Sequence, residues 1–318
     1  MAATQQQSET DAYIANTPRY HTNKDAAYVL PNDEVEHIRL EEQAAHLQAI
    51  MNNNIIHSPI PTNIQDAKML DIGCGTGIVT DFIGNRFPNA QVYGLDISDV
   101  PVHIRNHPPN VQFLKGNATT NSPDQWLTQD ASSRPVLDSS THFDLIFSRL
   151  LVCGMTNWPQ YVSRVHTLLK PGGRIELHDI DWTWYNSLSP TPETPISDTW
   201  KWLTAAKSVA SKRGMDWTCA RSLPQWLSEA GFQDIEVKKY KWPHGGSWQK
   251  DPVWQAWGDF VVKEMKGLVW HVIPRTLKGE GYSEQEVKDF QEEAVRDMEA
   301  EEGKHWVFWV VTGRKAEE

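Results

Sequence analysis

The sequence predicts an α/β fold, a mainly parallel sheet flanked by helices, with its ligand edge at the carboxyl ends of the strands. Three observations carry this. The apolar run Lys68-Met69-Leu70-Asp71-Ile72 breaks into alternating glycines at Gly73, Gly75 and Gly77, and Ile78, Val79, Phe82 and Ile83 follow at helical spacing. A second strand, residues 91–98, ends near Asp96, about 20 residues beyond the turn. Strand-like and helix-like segments then alternate towards Ile180 and resume at Phe232.

Each element has its own local reason. Residues 1–15 are polar and read as a loose terminus. Asn32 or Asp33 can cap a helix running to about residue 52, with Val35, Ile38, Ala45, Leu47 and Ile50 on its apolar face. Polar residues 52–66 lead into the glycine-turn strand. Residues 111–118 read as a third strand ending at Asn117-Ala118. Residues 119–142 form a long polar connection, unusual in a compact domain. A fourth strand, 143–152, carries Ser148-Arg149 near its end. Residues 158–170 are amphipathic and stop at Pro171-Gly172-Gly173. A fifth strand, 174–180, follows. Residues 182–230 look helical at 199–213 and 223–229. Residues 232–242 and 304–314 read as the last two strands, separated by a largely helical insertion.

The glycine turn admits competing readings. A nicotinamide fingerprint needs a third glycine where Ile78 stands, and a phosphate-binding loop needs Gly-Lys-Ser/Thr, which is absent. The remaining pattern, D-x-G-x-G-x-G, suits a nucleoside without phosphates. S-adenosylmethionine (SAM) is one, with its carboxylate over the turn amides at a helix start. Asp96 is placed to accept from ribose hydroxyls and Ile97 to face an adenine. Asn117 could hydrogen-bond an adenine edge or serve only as a turn residue. A purely structural glycine turn is the remaining alternative.

Composition narrows the classes. The chain has 318 residues and a net charge of −11, which disfavours non-specific binding to nucleic acid or anionic membranes. It shows no signal-peptide core and no apolar stretch of spanning length, so a cytoplasmic protein without a membrane partner is expected. The cysteines Cys74, Cys153 and Cys219 are far apart, which points to a reduced protein with neither disulfide frame nor cysteine zinc site. All 15 tryptophans follow residue 125, and 11 of them lie between Trp182 and Trp270. Most of these suit a core, and a few suit a pocket wall for a flat or apolar ligand.

Several stretches together resemble a known family, the class I SAM-dependent methyltransferases, and within it the fungal secondary-metabolism group related to the LaeA regulator. They are Tyr28-Val-Leu-Pro-Asn-Asp33, Glu36-His-Ile-Arg-Leu40, the glycine turn, residues 94–98 and 143–151, and Asn157-Trp158-Pro159. Further along come Leu169-Lys-Pro-Gly-Gly-Arg-Ile-Glu-Leu177, Ala230-Gly-Phe232, the Trp242-Pro-His-Gly-Gly-Ser-Trp248 segment and Gly313-Arg-Lys315. The resemblance implies a Rossmann-like seven-stranded sheet with its last strand antiparallel, an N-terminal helical segment and lid insertions. It implies one domain over residues 1–318. Residues 1–66 form the helical segment, 67–181 the SAM core, 182–230 and 244–302 the insertions, and 231–243 with 303–318 the final strands.

It also implies roles for individual residues. Gly73, Gly75 and Gly77 would hold the methionine part, and Asp71 counts among the cofactor-binding residues. Asp96 would take the ribose, Ile97 with Asn117 and Ala118 the adenine, and Arg149 would flank methionine and substrate. Tyr20 and Arg39 would close the site from the N-terminal segment. This chain departs from the pattern at Asn117, where the family commonly has an acid, and in the length of the 119–142 connection. It departs also at His178 and His244, where an amide and an aliphatic residue are expected.

Methyl transfer to a neutral hydroxyl or amine requires uptake of a proton, and a histidine suits this near neutral pH. His178, beside Asp179 and Asp181, and His244, between Trp242 and Trp248, are the sequence candidates, with His244 preferred. The expected activity is methyl transfer to an oxygen or nitrogen of a small natural product. A LaeA-like regulatory interaction protein and a SAM scaffold for a non-methylating step such as cyclisation are the alternatives.

Overall fold

The computed structural model describes residues 18–21 and 27–318; the loose terminus expected at 1–15 lies outside them. Helix α1 (Glu34–Ile50) begins where Asp33 accepts from the Glu36 amide, which confirms the expected cap. The glycine turn joins β1 (Lys68–Ile72) to α2 (Ile78–Arg86), and β2 (Gln91–Asp96) and β3 (Val111–Lys115) follow. Then come β4 (Leu127–Thr128), β5 (Phe143–Arg149), α3 (Trp158–Leu168) and β6 (Leu169–Asn186). The chain continues through α4 (Lys201–Lys212), α5 (Leu223–Glu229) and β7 (Phe232–Pro243). It ends with α6 (Pro252–Leu277), α7 (Glu284–Asp297) and β8 (Lys304–Lys315).

The strands form one sheet in the order β4-β3-β2-β1-β5-β6-β8-β7. β1 sits in the parallel core between β2 and β5, and β8 runs antiparallel between β6 and β7. The expected seven strands are all present. An eighth was not expected: β4 arises inside the 119–142 connection and pairs antiparallel with β3 through only two residue pairs. Side chains alternate across the sheet, so Leu70 and Ile72 join the larger apolar cluster while Met69 joins a smaller one with Leu145 and Phe147.

One boundary differs in a way that matters for the site. β6 runs through Trp182 to Asn186 rather than stopping at Ile180, and its pairing with β8 shifts register between Ile180 and Trp184. The first residues of the expected insertion are therefore strand. Most tryptophans serve the core, as their size favours. Trp126, Trp158, Trp184, Trp202 and Trp217 are fully buried, and Trp184 stacks on Trp306 with ring centroids 4.9 Å apart. The three cysteines are free and buried. Among the described residues no helix is long and apolar enough to cross a membrane.

Candidate cofactor and acceptor site

The turn after β1 has a shape that its residues dictate. The amides of Gly73 and Cys74 both donate to the Leu95 carbonyl, at 2.8 and 3.2 Å, which folds the turn back over β2. Gly73 and Gly77 have φ of 69° and 79°, a region that L side chains rarely enter. A Cβ on Gly77 would stand 2.5 Å from the Phe113 ring, so space as well as conformation demands glycine there.

Asp96 is tied physically to that turn. Its carboxylate accepts from the Gly75 amide at 2.9 Å and from the Ser98 amide at 2.9 Å. A carboxylate has about four lone-pair sites, so capacity remains for ligand hydroxyls. Burial raises the Asp96 pKa against the pull of these amides. At the end of β1, Asp71 accepts from the Thr80 hydroxyl at 2.7 Å, and burial pushes its pKa up to about 6. Burial lowers the Arg149 pKa to about 10 against the attraction of Asp71, and its Nη1 has no hydrogen-bond partner. A buried guanidinium nitrogen without a partner is costly and suits a place where a ligand carboxylate is to bind.

These groups open on one cavity of about 270 Å³. Its near end is lined by Gly73 to Thr76, Asp96 to Asp99 and Asn117 to Thr119. Its far end is apolar. Trp182 from β6, Trp242 from β7 and Trp306 from β8 face Trp257, Phe260, Val261, Met265 and Leu268 from α6. Tyr28 and α1 form the side, where Arg39 forks onto Glu36 with contacts of 2.7 and 2.6 Å. Glu264 of α6 also lines the cavity. It is 9 % exposed, its Oε1 lies 3.7 Å from Lys263 Nζ, and burial raises its pKa.

The cavity therefore gathers Arg39, Asp71, Gly73, Gly75, Asp96, Ile97, Asn117, Ala118 and Arg149 from the sequence-derived set. Asn117 spends its side-chain oxygen on the Thr119 amide and hydroxyl, at 2.9 and 2.7 Å, so its NH2 group is what remains for a ligand. Gly77 shapes the turn without lining the cavity. Tyr20 does not line it either; Arg275 lies over its ring, 4.5 Å from the centroid.

Neither candidate histidine is among the residues that line the cavity. His244 is fully buried outside the cavity, with Nε2 2.9 Å from the Met298 carbonyl and Nδ1 accepting from the Trp184 indole at 3.3 Å. Burial, then nearby Lys304, pushes its pKa down to about 3, so it is a neutral ring with both nitrogens engaged. His178 is 1 % exposed on β6, its Nε2 2.8 Å from Glu176, between the rings of Phe147 and Phe308. Neither ring reaches the cavity. Sequence reasoning missed Tyr28, Glu36 and Glu264 as wall residues. Tyr28 and Glu36 lie within stretches that carry the family resemblance, whereas nothing in the local sequence marks Glu264.

Residues 43–237, more than half of the chain, match the methyltransferase domain family. The chain is 27% identical over 285 residues to methyltransferase pytC of Aspergillus terreus, covering 88% of this chain and 81% of that protein. It is 29% identical over 225 residues to the secondary metabolism regulator laeA of Aspergillus flavus, covering 70% of this chain but 56% of the relative. Among solved structures, phosphoethanolamine N-methyltransferase 2 of Haemonchus contortus, bound to S-adenosylhomocysteine, aligns with a TM-score of 0.44 and 17% identity. That alignment covers 87% of this chain and 52% of that one. The cofactor is S-adenosylmethionine. With the glycine turn, the spaced acid and the strand order on which they sit, the chain belongs to the methyltransferase domain family.

Proposed function

We propose that this enzyme transfers the methyl group of SAM to an oxygen or nitrogen of a small, largely apolar molecule. One observation carries the reading: the cavity that begins at the glycine turn and Asp96 ends against the indoles of Trp182, Trp242, Trp257 and Trp306. A methyl donor seated at the near end would direct its methyl group towards that apolar end. A flat or aliphatic acceptor would meet aromatic faces there.

In this reading the methionine part lies over Gly73 and Gly75, with its carboxylate on the free nitrogen of Arg149. The ribose lies on Asp96, and the adenine lies between Ile97 and Asn117-Ala118. Water is excluded by α1 and α6, which also hold the acceptor against the methyl group. The proton of a hydroxyl or amine acceptor goes to Glu264. This carboxylate faces the cavity, and its burial-raised pKa brings it towards the range in which a base is effective. Glu36 is the weaker candidate because Arg39 already occupies both its oxygens.

The test is incubation of the purified protein with methyl-labelled SAM and an extract of the source strain lacking the gene. Label in a small-molecule fraction, with the mass gain of one methylene, supports the reading. Label confined to protein would support instead a regulator of the kind the laeA relative is named for. Binding of SAM with turnover of an extract component but without SAM consumption would point to a non-methylating step.

A further inference from the structure

On and beside the interior strand β6, outside the lining of the cofactor cavity, His57, Glu176 and His178 converge. His178 Nε2 lies 2.8 Å and His57 Nδ1 3.3 Å from the same oxygen, Glu176 Oε1, and all three candidate ligand atoms fall within 4.8 Å of one another. The rings of His57 and His178 stand edge-on, 5.5 Å apart. The carbonyl of Ile55 is 3.2 Å from His57 Nδ1 and adds a further oxygen beside the cluster. We propose that His57, Glu176 and His178 form a binding site for a divalent cation of the zinc class.

The donor set is the first reason. Two imidazoles and one carboxylate are common zinc ligands, and a tetrahedral ion with bonds of about 2.0–2.1 Å sets its ligands about 3.3 Å apart. One of the two nitrogen–oxygen distances already has that length, and the other needs to open by about half an ångström. His57 sits on the segment before β1 and its side chain is 12 % exposed, which gives the ion a way in and the ligand room to adjust.

The surroundings are the second reason. Glu176 is oriented by the amides of His57 and Ser58, each donating at 2.8 Å, so its carboxylate is fixed before any ion arrives. His57 Nε2 lies 3.0 Å from the Tyr240 hydroxyl, which can either donate or accept and so supports the tautomer that metal binding requires. His178 Nδ1 is buried without a partner. It is the nitrogen that would carry the proton once Nε2 turns to the ion. A bound cation would tie the 55–58 segment to β6 at His178. The His178 carbonyl accepts from the Leu150 amide at 2.8 Å, immediately beside Arg149.

The experiment is calorimetric titration of the chelator-stripped full chain with zinc chloride, with cobalt(II) as a spectroscopic probe. His57→Gln and His178→Gln both keep an amide that can donate to Glu176, and thermal melting of the metal-free variants verifies that they fold. The expected result is one site, lost or weakened by at least about 100-fold in each variant, beyond the effect of removing a mere supporting residue. Wild type with cobalt should show visible d–d bands that both variants lack. Exposed His103→Gln should bind as wild type does. Absence of a stoichiometric site in wild type, or unchanged affinity in the doubly substituted chain, would overturn the assignment.

Discussion

His244 offers a sharp test because its neighbourhood suggests one role and its contacts another. The aromatic and glycine residues around it suit a shielded base, but the ring is closed off between Trp184 and the Met298 carbonyl. Its own amide donates to the Lys304 carbonyl at 2.8 Å, so the residue, directly after β7, joins β8, β6 and the end of α7 at one corner. His244→Ala would orphan an indole N–H and a carbonyl in the interior, about 1–3 kcal/mol each. It would also leave a ring-sized void, so a total near 4 kcal/mol is expected. For a chain of this length that corresponds to a fall in melting temperature of about 6 °C. Thermal and urea unfolding, paired with methyl-transfer rates per folded molecule, measure both quantities. The expected outcome is a clear stability loss, kcat within about twofold of wild type and unaltered SAM affinity. An unchanged melting temperature with kcat reduced by the 10²–10⁴-fold typical of a lost base, roughly, would refute the structural role.

Glu264→Gln should lower kcat by about 10²–10⁴-fold at neutral pH while SAM affinity in calorimetry holds; a near-wild-type rate would remove Glu264 as the proton acceptor. Asp71 should leave a signature in pH. Its pKa is raised to about 6 in the fold, so the ionised form costs about 3 kcal/mol at neutral pH. That cost disappears as pH falls from about 6 to about 4. Wild type should therefore gain stability relative to Asp71→Asn over that window, read from urea midpoints at pH 7 and 4, and a pH-independent difference would contradict the burial argument. Gly77→Ala must place a side chain at a φ of 79° and against Phe113, so a loss of about 2–3 kcal/mol in unfolding free energy is expected. An unchanged stability would show that the turn relaxes freely.

The glycine turn and its contact with the acid at the end of β2 were legible because backbone geometry constrains sequence there. Glycine is favoured at the positive φ of Gly73 and Gly77, and an acid at the end of β2 must fall where Asp96 falls. The far wall was not legible for a physical reason. α6 buries residues around most of its circumference, from Trp257 and Phe260 to Val269, Val272 and Ile273, so its periodicity does not distinguish a cavity face from a core face. The long β6 was masked because the tryptophans of 182–184 look like the start of an insertion, whereas pairing with β8 keeps them in the sheet. The burial of His178 and His244 was not legible for one shared reason: the aromatic residues that would shield a catalytic ring also bury it. β4 is set by two pairs with β3 and carries too little pattern to be seen in sequence.

The central claim is that one cavity divides into a SAM end and an acceptor end. Calorimetric titration of SAM into wild type, Asp96→Asn and Trp257→Ala tests it most directly. Asp96→Asn keeps an oxygen for only one of the Gly75 and Ser98 amides and loses the charge offered to ribose, so binding should weaken by about tenfold or more. Trp257→Ala should leave SAM affinity within about twofold, because its indole belongs to the apolar wall. Unchanged SAM affinity in Asp96→Asn, or an equal loss in Trp257→Ala, would contradict that division.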